Sequence, residues 1–75
     1  MRQLLSAPIA RKMKTLRKRN KLSQTQMGEI IGLSQSTYAK YEKGYFSFTC
    51  CQICQICAWF KINPSYFFED IFTNL

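Results

Sequence analysis

The chain has no histidine, and no acidic residue precedes Glu29. The first absence removes the commonest metal ligand and general base, so a zinc site or a histidine-based hydrolase is a poor fit. The second leaves residues 1–21 as an uncompensated basic segment. Long apolar runs are also missing. The longest uncharged stretch, Gly44 to Phe60, is broken by Ser47, Thr49, Gln52 and Gln55 and falls short of the roughly 20 apolar residues that a spanning helix needs. Leu4 and Leu5 alone precede the charged run at the N-terminus, too little for the core of a secretory signal. No internal repeat, low-complexity tract or linker interrupts the chain, and 75 residues are not expected to hold a separate sensor domain.

What is present is one small domain with a core of marginal size, to which dimerisation would add stability. Arg2, Arg11, Lys12, Lys14, Arg17, Lys18, Arg19 and Lys21 give residues 1–21 a charge of +8. Lys40, Lys43 and Lys61 against Glu29, Glu42, Glu69 and Asp70 give the rest −1, for the overall +7. Such a balance favours a polyanionic partner.

The most informative segment is Leu22 to Gly44, LSQTQMGEIIGLSQSTYAKYEKG. Ser23 with Gln26 three residues later is a capping-box signature, and Ser34 offers a second cap. Gly32 between them supplies the positive-φ residue of a tight inter-helix turn. Met27, Ile30 and Ile31 form an apolar stripe, Leu33 plugs the turn, and Tyr38 and Tyr41 give the second helix a buried side. Gly28 falls where the two helices cross, and a larger side chain there would hold them apart.

Five helices are predicted. Ser6 caps the first with Pro8 in its opening turn, so residues 1–8 form a short arm and residues 9–75 one domain; Ile9, Met13 and Leu16 share one face. This helix ends near Asn20 or Lys21. The second runs from about Gln24 to Ile31 and the third from about Gln35 to Lys43, stopped by Gly44. Tyr45 to Phe48 connect to a fourth helix, Cys50 to Phe60, begun by Thr49 with Gln52 and burying Ile53, Cys57 and Phe60. The fifth starts after Asn63 with Pro64 at its first position.

With these spacings the segment resembles the DNA-binding domain of Cro, the lambdoid phage repressors and the wider XRE family. The resemblance runs from about Ile9 to about Ile71, through MKTLRKRNK upstream and INPSYFF downstream. It implies an all-α, compact five-helix lambda-repressor-like fold and a cytoplasmic, nucleoid-associated regulator that binds double-stranded DNA without catalysis or cofactor. Lys21 stands where the family usually has glycine, so Asn20 or Lys21 must take an unfavourable turn conformation. The Tyr45–Phe48 loop departs from the family's polar or basic loop with a proline at the Phe48 position.

The second motif helix is the element that enters the major groove, with its N-terminal residues at the base edges. With Tyr38 and Tyr41 buried, Gln35, Ser36, Thr37 and Lys40 point outward. Gln35 suits a bidentate pair with adenine, Ser36 and Thr37 suit either base type, and Lys40 suits guanine or phosphate. The resemblance adds Gln24 as a phosphate contact beside Gln35 and makes Arg17 and Glu42 a structural ion pair. Ser34 and Lys43 complete the candidate DNA contacts, although Lys43 also sits where a cation favours a helix C-terminus. Outside such a motif an exposed Gln or Ser is ordinarily only solvated.

Cys51, Cys54 and Cys57 have the CxxCxxC spacing of cluster ligands, and Cys50 adds a fourth thiol. On a helix, however, Cys50, Cys54 and Cys57 share a face and Cys51 turns aside, whereas cluster ligands usually lie in open loops. Cys57 falls where relatives carry a small buried alanine, and structural thiols with no bound metal are expected. At the C-terminus, Phe67 and Ile71 join the core and leave Phe68 and Phe72 partly exposed as a homodimer contact; a fully intramolecular core is the plainer alternative. Three functions follow: a homodimeric repressor or autoregulator reading a palindrome, an antitoxin or restriction-modification controller with a protein partner, and a thiol-based metal or redox sensor.

Overall fold

The computed structural model describes residues 2–73 and the side chains of residues 7–69. Its helices are α1 (Arg2–Arg19), α2 (Gln24–Ile30), α3 (Gln35–Glu42), α4 (Cys50–Phe60) and α5 (Ser65–Thr73), with no strand among the described residues. The fold is all-α.

Local chemistry sets each boundary. Ser23 Oγ accepts from Gln26 N at 3.1 Å while Ser23 N donates to Gln26 Oε1 at 2.9 Å, and Thr49 with Gln52 repeats this reciprocal cap at 3.1 and 2.8 Å. Asn63 Oδ1 accepts from Ser65 N at 2.9 Å, so Pro64 lies in the entry turn of α5 just ahead of its first residue. There its lack of an N–H costs nothing.

The start of α1 differs from expectation. The helix begins at Arg2 and continues through Pro8 rather than from a cap on Ser6, so residues 2–8 are helical and not an arm. Proline's fixed φ is already helical and its missing N–H removes a single ladder bond. The good helix formers Gln3, Leu4 and Leu5 favour extension on the far side of it.

Two helices close on lysines in the left-handed region, Lys21 at φ 58° and Lys61 at φ 57°. In both, the next residue donates back across the turn, Leu22 N to Arg17 O and Ile62 N to Cys57 O, each at 3.0 Å. Leu22 and Ile62 then tuck partly against the core, which offsets the strain of a side chain at positive φ. The turn at Lys21 was expected; the one at Lys61 was not, since no glycine or asparagine marks it.

The core gathers Ile9, Ala10, Met13 and Leu16 of α1, Met27 and Ile31 around α2, Tyr38 of α3, Phe48 of the loop that follows, Ile53, Ile56 and Cys57 of α4, and Phe67 of α5. Ile56 replaces Phe60 as the deep residue of α4, and Phe60 is only partly buried. With Ile53 and Cys57 it makes an i, i+3, i+4 stripe. α1 packs against both α5 and α3, and α2 against α3 and α4.

A Cβ on Gly28 would stand 2.8 Å from the Leu33 carbonyl oxygen and 3.2 Å from Tyr38 Cβ. The obstruction is largely backbone and cannot swing aside. Gly28→Ala is therefore expected to lose about 1–3 kcal/mol by overpacking, lowering Tm by about 4–8 °C for each kcal/mol. An unchanged thermal melt would show that the α2–α3 crossing has slack.

Candidate nucleic-acid interface

The turn between α2 and α3 is held by backbone bonds. Ile31 N and Leu33 N both donate to Gly28 O, at 3.0 and 2.9 Å, and Gly32 adopts φ 72°. Ser34 then starts α3, its hydroxyl accepting from Thr37 N at 3.3 Å. These contacts place the first residues of α2 and α3 side by side.

A polar chain links that pair of helix starts to α1. Arg17 donates through Nε to Glu42 Oε2 at 2.7 Å and through Nη2 to Oε1 at 3.2 Å, while its Nη1 reaches the Leu22 carbonyl at 2.9 Å. Gln24 Nε2 donates to the same Glu42 Oε1 at 3.3 Å, and Gln35 Nε2 donates to Gln24 Oε1 at 2.7 Å. The Arg17 and Glu42 side chains are only 10% and 4% exposed, so this fork operates largely out of water, where charge-assisted bonds are strongest. Burial would raise the Glu42 pKa, but the hydrogen bonds from Arg17 and Gln24 and the charge of Arg17 outweigh it and hold the carboxyl below its ordinary range. Tyr38, fully buried beneath the pair, has its phenol pushed far upward, first by burial and then by Glu42.

The network orients Gln35 without exhausting it. One N–H of its amide is spent on Gln24, which leaves the second N–H and Oε1, the pair of groups an adenine edge requires. Gln35, Ser36 and Lys40 are exposed and Thr37 is half-buried. Ser34 lies among them, 3.0 Å from Thr37 Oγ1 and 3.4 Å from Ser36 Oγ, with its own oxygen engaged as the cap. Lys43 closes α3 through its backbone and keeps an exposed side chain. Gly44 at φ 87° then turns the chain, with Tyr45 N bonded to Lys40 O at 2.9 Å. In the loop that follows, Phe48 is buried against Tyr41, ring centroids 5.1 Å apart, whereas Tyr45 and Phe46 stay exposed.

This arrangement of two short helices about a glycine turn has counterparts among known proteins. Residues 13–49 match the family model described as helix-turn-helix. The chain belongs to the helix-turn-helix family. It is 34% identical over 71 residues to y4wC, an uncharacterised HTH-type transcriptional regulator of Sinorhizobium fredii, covering 95% of this chain and 50% of that protein. A second such regulator of the same organism, y4aM, is 35% identical over 63 residues, covering 84% of this chain and 44% of the relative. The chain thus spans about half the length of these curated relatives. No solved structure matches it significantly.

The family segment runs from the middle of α1 to the cap of α4 and so encloses the polar chain from Arg17 to Gln35. Outside it, the cysteines are divided. Cys57 is buried, where burial pushes its thiol upward, while Cys50, Cys51 and Cys54 are exposed. The shared face expected for Cys50, Cys54 and Cys57 is therefore not a buried one. Among the described residues no three Cys, Asp or Glu side chains converge as a metal-binding group, and no helix is long and apolar enough to cross a membrane.

Phe67 is buried and Phe68 is half-buried against the core; the side chains of Ile71 and Phe72 lie outside the described residues. Sequence reasoning missed the Leu22 carbonyl as a third anchor of Arg17 and Gln24 as the bridge to Glu42. Contacts made by a loop carbonyl leave no signal in residue type. The Gln24 bridge could have been suspected, since an amide beside a buried carboxylate is a natural donor.

Because the Glu42 carboxyl is depressed in the fold, its contribution is complete above the unfolded pKa, about 4.3, and is lost as pH falls through the lower folded value. Glu42→Gln should cost about 3–5 kcal/mol at pH 7 by leaving Arg17 buried without its charge partner. The difference from wild type should shrink steadily below about pH 4.3. Thermal melts from pH 7 to 2 read this directly, and a pH-independent difference would mean that the Glu42 charge contributes nothing.

Proposed function

We propose that the chain is a sequence-specific double-stranded DNA-binding module of a transcriptional regulator, reading base edges through α3 as a homodimer on a palindromic operator. The observation that carries this is the tethered Gln35, exposed on the first residue of α3 with an N–H and an oxygen left over. Ser36, Thr37 and Lys40 extend the reading row, and Gln24 and Lys43 flank it as phosphate contacts. The relatives' names, HTH-type transcriptional regulators, agree with it. Two copies about one DNA turn apart, roughly 34 Å, would present their α3 helices to successive major grooves, with half-buried Phe68 and its sequence neighbour Phe72 as the candidate contact.

One observation favours a second reading, in which the module also docks a protein such as a toxin. Trp59 is 65% exposed and borders a groove of about 450 Å³ with Leu22, Gln26, Glu29 and Ile30. Exposed tryptophan is common at protein interfaces.

Selection of bound sequences from a random duplex pool tests the main reading and supplies the operator. On that operator Gln35→Ala should lose about 1–3 kcal/mol of binding and almost nothing on random DNA. An equal loss on both would remove Gln35 from base reading. Sedimentation of wild type on the same duplex should show two chains per palindrome, and a lone monomer at saturation would remove the dimer.

A further inference from the structure

The basic excess of residues 1–21 does not converge on the reading surface. Arg17 is consumed by Glu42, and a separate group of cations collects on another flank of α1. Arg11, Lys12, Thr15 and Arg19 line a groove of about 340 Å³ with Pro8, and Tyr66 of α5 forms its far wall. At 3.6 residues per turn, Thr15 and Arg19 each lie about 200° round the helix from Arg17. They therefore stand on the opposite flank from the side that meets α3. Arg11, Thr15 and Arg19 are all exposed. Recurring every fourth residue, they form a stripe with successive members about 6 Å apart along the axis, some 12 Å in all.

The wall opposite this stripe is fixed. Lys12 Nζ sits 4.6 Å from the Tyr66 ring centroid and 3.9 Å from Glu69 Oε2, and the Tyr66 ring stands edge-on to the buried Phe67, centroids 5.1 Å apart. Lys12 is thereby held at the groove's edge by contacts of its own, with its charge partly answered by Glu69. Arg11 and Arg19 bring the charge into the groove, and Thr15 places a hydroxyl between them. Guanidinium groups recognise phosphate oxygens through paired N–H donors. A row of donors this long suits several phosphates in line better than a single one.

We propose that the α1–α5 groove is a second anion site, distinct from the α3 surface, which binds a run of linked phosphates along Arg11, Thr15 and Arg19. The run could be a free polyphosphate chain or the backbone of a DNA segment other than the one on α3; both present the same chemistry. The site does not depend on α3 reading an operator, because none of its residues belongs to that surface.

Titration of inorganic tripolyphosphate into the isotope-labelled chain at constant ionic strength tests it. Saturable amide shifts are expected at Arg11, Thr15, Arg19 and Tyr66, with Gln35 to Lys40 unmoved. Arg11→Gln with Arg19→Gln should weaken binding at least tenfold, and Thr15→Glu, which places a negative charge mid-row, should do the same. All three positions are exposed, and a thermal melt of each variant checks that the fold persists. Shifts that fail to saturate, that spread evenly over the surface or that centre on α3 would overturn the proposal, as would unchanged affinity in both variants. Addition of random duplex DNA then identifies the source. Displacement of tripolyphosphate with movement of Thr15 and Arg19 supports a DNA backbone, and retention of tripolyphosphate while only α3 responds supports a free chain.

Discussion

The buried fork between Arg17 and Glu42 is the contact on which the surface formed by the starts of α2 and α3 depends. It joins the last turn of α1 to the last turn of α3, and its third donor pins the carbonyl of Leu22 at the entry to α2. The end of α1, the entry to α2 and the end of α3 thus share one guanidinium. Gln24 transmits that constraint from the Glu42 carboxylate to Gln35. In the proposed base contact Gln35 gains from being fixed before the encounter, since ordering it on binding would subtract from affinity.

Apolar contacts alone would hold these helices less selectively. A buried ion pair is a weak source of net stability, because desolvating both charges costs nearly what their attraction returns. Its geometry, however, is demanding: the guanidinium fork accepts one orientation of the carboxylate and few registers of α1 against α3. The neighbouring Tyr38 and the close backbone approach at Gly28 restrict the same crossing sterically. Packing sets the distance between the helices and the fork sets their rotation, and the position of Gln35 follows from both.

Much of this was legible in the sequence because it rests on rules that act within a few residues. The capping boxes at Ser23 and Thr49, the positive φ of Gly32 and the apolar stripes predicted α2, α3 and α4 to within a residue, and the tight space at Gly28 followed from the crossing it had to allow. Failures arose where distant parts decide. Pro8 read locally as a helix start, yet α1 runs through it. Phe60 read as core by periodicity, yet Ile56 takes the deep position. Lys61 gave no hint of a left-handed turn, because the gain that offsets it is the packing of Ile62. In the candidate site, the outward set on α3 was visible from what its tyrosines bury, but the link from Gln35 through Gln24 to Glu42 exists only once the helices cross.

The same distinction applies to charge. Composition places eight cations in residues 1–21 and invites a single conclusion, that they all serve DNA. A helix distributes neighbours around its axis, so consecutive basic residues cannot share a surface. Arg17 turns inward to organise α3, while Arg11 and Arg19 turn toward α5. Long-range attraction of a polyanion depends on the summed charge and is indifferent to this division. Contact is not, because phosphate recognition acts over hydrogen-bond distances. One basic helix can therefore add its charge to the attraction of a polyanion for the whole domain, hold α3 from its inner face and carry a separate cationic groove on its outer one.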